Sequence, residues 1–142
     1  MEITINYWAV LAAAVANMVV GMLWYGPVFG KQWRHLMGFS VDDMKKMPLS
    51  PAQAMLGGFV VALIMAFVLA HDAFVWGNFF GPSVGREVFA FQLAFWIWLG
   101  YFLTNTSGAW LWEGRPFKLV VLNASAQLVS LLAMACVLTW WM

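Results

Sequence analysis

Asn123, Gln127 and Ser130 recur at i, i+4 and i+7, so they share one face if the apolar run around them is helical. Thr104, Asn105, Thr106 and Ser107 cluster in a second apolar run, and Asn17 stands alone in a third. Amides and hydroxyls embedded in hydrocarbon can do two things. They can line a polar track for a small solute or an ion. They can also hydrogen-bond one helix to another, each bond contributing about 0.6–2 kcal/mol. The second role is favoured, because no ionisable group stands among them and such groups usually mark conduction and proton pathways.

The rest of the chemical inventory is thin. His35 and His71 are expected at opposite ends of the fold, so they cannot share a metal or a haem. His71-Asp72 is a candidate interfacial hydrogen-bonded pair. The single cysteine, Cys136, excludes an intramolecular disulfide and a cysteine zinc cluster, and it reads as an inert packing residue. No serine has a base beside it, no glycine-rich loop fits phosphate, and no carboxylate pair faces a cavity. The expectation is no catalytic residue, no bound cofactor, no metal, and so no enzyme.

The elements that must position these groups follow from composition. Hydrophobic residues make up 64% of the 142 residues and charged residues only 9%, too little charge for a water-facing surface. A formal net charge of +1 leaves no basic surface for nucleic acid. A soluble globular domain and a disordered chain are both excluded, and an integral membrane protein remains. A bilayer core about 30 Å thick needs about 20 apolar residues. Four stretches qualify, at about 5–25, 52–70, 88–112 and 117–141, and apart from Lys118 at the very start of the fourth none contains Asp, Glu, Lys, Arg or His. The fold class is all-α, a single four-helix membrane bundle over 1–142. The first stretch lacks the positive n-region of a signal peptide and reads as an uncleaved helix.

Charge orients the bundle. The loops after spans one and three carry Lys31, Arg34, Lys45, Lys46, Arg115 and Lys118, whereas the opposite side has Arg86 alone. By the positive-inside rule both basic loops lie in the cytoplasm and both termini outside. Tryptophan agrees: Trp8, Trp76, Trp140 and Trp141 fall at one rim, Trp24, Trp33, Trp110 and Trp112 at the other.

Gly26-Pro27 is expected to break span one. After it, 29–37 reads as a short amphipathic helix on the membrane surface. Phe29, Trp33, Leu36 and Met37 form its apolar face, and Gly38 its cap. Ser40 and Asp43 suggest a capping box for a second short helix. Ser50-Pro51-Ala52-Gln53 opens span two. The aromatic, glycine-rich segment 71–87 reads as a loop dipping into the interface, and 113–116 as a tight turn. Along span two, Ala54, Gly58, Ala62, Ala66 and Ala70 put a small residue at every fourth position. This pattern lets a second helix approach closely, within the chain or from another copy.

The string Trp24-Tyr25-Gly26-Pro27-Val28-Phe29-Gly30-Lys31-Gln32-Trp33, with Met37-Gly38 after it, resembles a family of small bacterial integral membrane proteins catalogued as a domain of unknown function. Arg115-Pro116-Phe117-Lys118-Leu119, Asn123 and Gln127-Leu128-Val129 extend the resemblance over essentially the whole chain. It implies four spans in a bacterial cytoplasmic (inner) membrane and singles out Trp24, Tyr25, Pro27, Gly30, Trp33 and Asn123. It supplies no catalytic residue. Two functions compete. One is association, as an accessory subunit of a membrane complex or as a homo-oligomer, with the lipid bilayer and other membrane subunits as partners. The other is a small-solute or ion channel or uniporter built on the polar residues of spans one, three and four.

Overall fold

The computed structural model describes residues 2–80 and 83–141. The described residues form helices and connecting turns, with no strand among them. Four helices are long and apolar enough to cross a membrane: Tyr7–Val28, Pro51–Phe80, Arg86–Leu111 and Phe117–Trp141. This is the fold of a multi-pass membrane protein. Spans one and four pack along each other, span two lies against span one, and span three against span four. Spans two and three hardly touch. The order around the bundle is therefore two, one, four, three, with a gap between the last and the first.

Small residues set the close approaches. Ala9, Ala13 and Ala14 of span one and Ala62, Ala66 and Ala70 of span two are all fully buried, as expected where backbones come together in hydrocarbon. Leu131, Met134, Ala135 and Leu138 of span four and Ala90, Leu93 and Ala94 of span three complete the core. All of these lie in the half of the bundle that holds the termini. In the other half, called here the basic end after its loops, residues 51–57 are exposed at every position and 95–111 contain no buried residue.

Two expectations about helix ends change. Span two does not stop at 70; it runs ten residues farther, to Phe80, so 71–80 is helix rather than loop. His71 is accommodated because its Nδ1 lies 2.8 Å from the Phe67 carbonyl and its ring packs edge-on against the Phe67 ring. It therefore bonds one turn back and not to Asp72, because consecutive residues of a helix do not face each other. Both His71 and Asp72 lie inside the long span, as do Arg86 and Glu87 in span three, so the spans are not free of ionisable residues. Of the loop expected over 71–87, Gly81 and Pro82 lie outside the described residues.

Span one does not break at Gly26-Pro27 either. It widens into a π-helical turn, Trp24–Val28. Pro27 has no N–H to give the α-helical ladder, and the Phe29 N–H instead reaches the Trp24 carbonyl five residues back, at 2.8 Å. Span three likewise carries a π-helical stretch, Trp98–Leu103, where the Thr104 hydroxyl donates to the Gly100 carbonyl at 2.8 Å.

The punctuation elsewhere is as read. The interfacial helix runs Gly30–Met37 and ends on Gly38 at φ 74°. Ser40 and Asp43 form a reciprocal capping box over Val41–Lys45. Ser50 and Gln53 exchange bonds of 3.0 and 3.2 Å at the start of span two. Gly114, at φ 67°, turns the chain between spans three and four.

Candidate functional site

Span four presents its polar face to two neighbours. Ser130 donates to Asn17 of span one. One turn toward the basic end, the Gln127 side-chain oxygen accepts from the Thr106 hydroxyl of span three at 2.9 Å. A further turn on, the Asn123 oxygen accepts from the Tyr25 hydroxyl at 2.8 Å. The Trp98 indole N–H donates to the Ala124 carbonyl, 2.7 Å away, on the same helix. A seam of amides and hydroxyls thus ties spans one and three to span four.

Tyr25 reaches Asn123 from the π-helical turn of span one. The interfacial helix folds back directly beneath that turn. Gly30 is buried there, and a Cβ on it would stand 2.7 Å from the Tyr25 carbonyl oxygen. Only glycine permits this approach. The rings of Trp24 and Phe29 then pack at 4.7 Å. Trp33 sits half-buried between Tyr25 and Phe39, with ring centroids 5.9 Å from each. The Trp24–Trp33 string is a knuckle that fixes the interfacial helix against the bundle.

Beside the knuckle the spreading helices leave a cavity of about 650 Å³. Tyr25 and Trp33 line one part of it. Asn105, Thr106, Trp112 and Glu113 of the span-three end and Asn123 and Gln127 of span four line the rest. The cavity opens at the basic end. Farther along span four from Gln127 toward the terminal end come the Asn17–Ser130 bond and the closed apolar core of Leu131, Met134 and Leu138, each no more than 1% exposed. Among the described residues no three His, Cys, Asp or Glu gather as a metal site, and nothing in the arrangement points to catalysis.

A family profile matches residues 8–139, and its description is protein of unknown function, DUF1761. The chain belongs to that family. No curated protein and no solved structure matches it. The match to DUF1761 spans all four membrane helices and the knuckle, so it supports a membrane protein of this architecture without assigning an activity.

Within this DUF1761 chain the polar residues of span four each find a partner on span one or span three. Asn123 bonds to Tyr25 rather than to Asn105 or Thr104. Gln127 meets Thr106, not Asn17, whose partner is Ser130. Thr104 turns back onto its own helix. Asn105 is exposed and faces the cavity. The small-residue stripe divides: Ala62, Ala66 and Ala70 are buried, a Cβ on Gly58 would touch only the end of Met18, and Ala54 is exposed. Cys136 is exposed on the bundle's outer side instead of packed within it.

Three contributors were not visible in advance. Tyr25 as the partner of Asn123 had no sequence signal beyond its place in the knuckle. Thr106 was only one of four adjacent polar residues. Asn6 caps span one, accepting from the Trp8 and Ala9 N–H groups at 3.1 and 3.3 Å. Its signal was an asparagine immediately before an apolar run.

Proposed function

We propose that the protein works by association within the membrane, without enzymatic chemistry, and that its first partner is a second copy of itself. The observation that carries this reading is the division of span two. Its terminal half spends its alanines on span one, while its basic half, 51–57, is exposed throughout. Ala54 and Gly57 are the small residues exposed there, and a Cβ on Gly57 would meet nothing within 4 Å. Such a face can meet its own image across a two-fold axis, where small residues let two backbones approach closely. The open side between spans two and three adds to it. Val61, Ile64 and Val68 border an apolar hollow of about 360 Å³ with Leu131 at its floor. An accessory role in a larger membrane complex would use the same face.

The channel reading draws on the cavity but not on a path through the bundle. The polar seam is paired along its length and ends against the dry core. Reconstituted protein should give no solute flux that distinguishes the native chain from Asn123→Leu; a flux abolished by that substitution would restore the channel.

We place the chain in a bacterial cytoplasmic membrane with the basic end inside, on the six-to-one distribution of Lys and Arg. A cysteine introduced at Thr4 should be labelled by an impermeant reagent from outside, and one at Lys45 should not; the reverse pattern overturns the orientation. The association reading is tested by extracting native membranes gently and sizing the complex. A species of at least twice the monomer mass is expected, and a free monomer at all concentrations contradicts it.

A further inference from the structure

The cavity at the basic end combines one charge with three aromatic rings, and this combination selects a class of ligand. Tyr25 and Trp33 meet edge to face, their planes at 74°. Rings so disposed turn their faces in different directions and make a corner. Trp112 adds a third ring to the lining, and Glu113 is the single charged residue in it. No Lys, Arg or His lines the cavity to receive an anion. One carboxylate with neutral amides falls short of a calcium site, which gathers about six to eight oxygen ligands.

We propose that this cavity binds an organic ammonium cation. The ring faces attract the cation through their quadrupoles, and the Glu113 carboxylate supplies the counter-charge. The Asn105 side chain makes no hydrogen bond among the described residues, so its oxygen is free to accept from an ammonium N–H. At about 650 Å³ the site falls within the ordinary range of small-molecule pockets. The ammonium group can arrive on a free amine or on the headgroup of an aminophospholipid, since the cavity opens at a membrane rim marked by tryptophan.

The test uses the full chain in nanodiscs of phosphatidylglycerol alone, with choline and ethanolamine measured separately by equilibrium dialysis. Saturable binding of at least one is expected. Glu113→Gln and Trp33→Leu should each weaken it about tenfold or more. Asn105→Leu should weaken ethanolamine but not choline, which has no N–H to donate. Asn78→Ala, at the opposite end, should change nothing. Should Trp33→Leu fail to fold, Trp112→Leu replaces it, because Trp112 is 87% exposed and carries little packing. Adding phosphatidylethanolamine to the discs should displace the probes if the lipid headgroup is the occupant, and leave binding unchanged if a free amine is. The proposal is overturned if neither amine binds saturably, or if binding persists undiminished in both Glu113→Gln and the tryptophan variant.

Discussion

Asn123 and Tyr25 are 98 residues apart in sequence and share a bond of 2.8 Å. An asparagine left unpaired in hydrocarbon would be costly, yet bonds between spans contribute only about 0.6–2 kcal/mol because an unfolded chain in lipid also finds partners. Asn123→Leu and Tyr25→Phe should therefore each destabilise the bundle by an amount in that range, and the double variant by no more than the larger single effect. Unfolding in a graded denaturing detergent measures all three; additive losses would show that the two side chains do not act together. Gly30 gives a sharper contrast. Its Cβ would press on a backbone oxygen that cannot move without shifting the π-helical turn. Gly30→Ala should cost about 1–3 kcal/mol, the usual penalty of overpacking. Gly21→Ala, which meets nothing within 4 Å, should be neutral or stabilising by up to about 1 kcal/mol, because alanine favours helix.

At the scale of the element, local capping chemistry was readable and helix irregularity was not. The capping boxes at Ser40 and Ser50 follow from side chains within three residues of each other, so the sequence contains all of the interacting parts. The Ser40 backbone N–H first, and its hydroxyl second, hold the Asp43 carboxyl below its ordinary value of 3.8. A depressed value means that the carboxylate's contribution to this short helix is fully present above 3.8 and is lost as pH falls through the folded value. A carboxyl carbon titration should place the Asp43 midpoint below 3.8, and Ser40→Ala should raise it; an unchanged midpoint in the variant would remove the capping account. Span four was legible at its start because Pro116 punctuates it. Span two was read ten residues short because His71 and Asp72 look like a membrane exit, whereas the histidine bonds within its own helix. The π-helical turns were hidden for another reason. In span one Pro27 marks the place, but the same residue reads equally well as a helix break; in span three the stretch Trp98–Leu103 holds no proline, and no local pattern encodes it. The span-one turn carries Tyr25, the partner of Asn123, which is why the seam's members were legible and this pairing was not.

Over the whole molecule, packing is unevenly distributed. The terminal half is closed by alanines and leucines from all four spans, and the basic half spreads around a polar cavity. Span two adds asymmetry of length: thirty residues reach about 45 Å at 1.5 Å per residue, well beyond a hydrocarbon core of about 30 Å. Tilting would absorb the excess, and the order two, one, four, three leaves span two free to tilt on the side where span three does not hold it. That free side is where association is proposed. The most direct measurement is disulfide cross-linking in native membranes, with Cys136 replaced by alanine and single cysteines placed at Ala54, Gly57 or Val121. Ala54→Cys or Gly57→Cys should yield a covalent dimer on mild oxidation, while Val121→Cys, exposed on span four, should remain monomeric. Monomer alone from both span-two positions, in membranes where the variants are folded and abundant, would contradict association of two copies through this face.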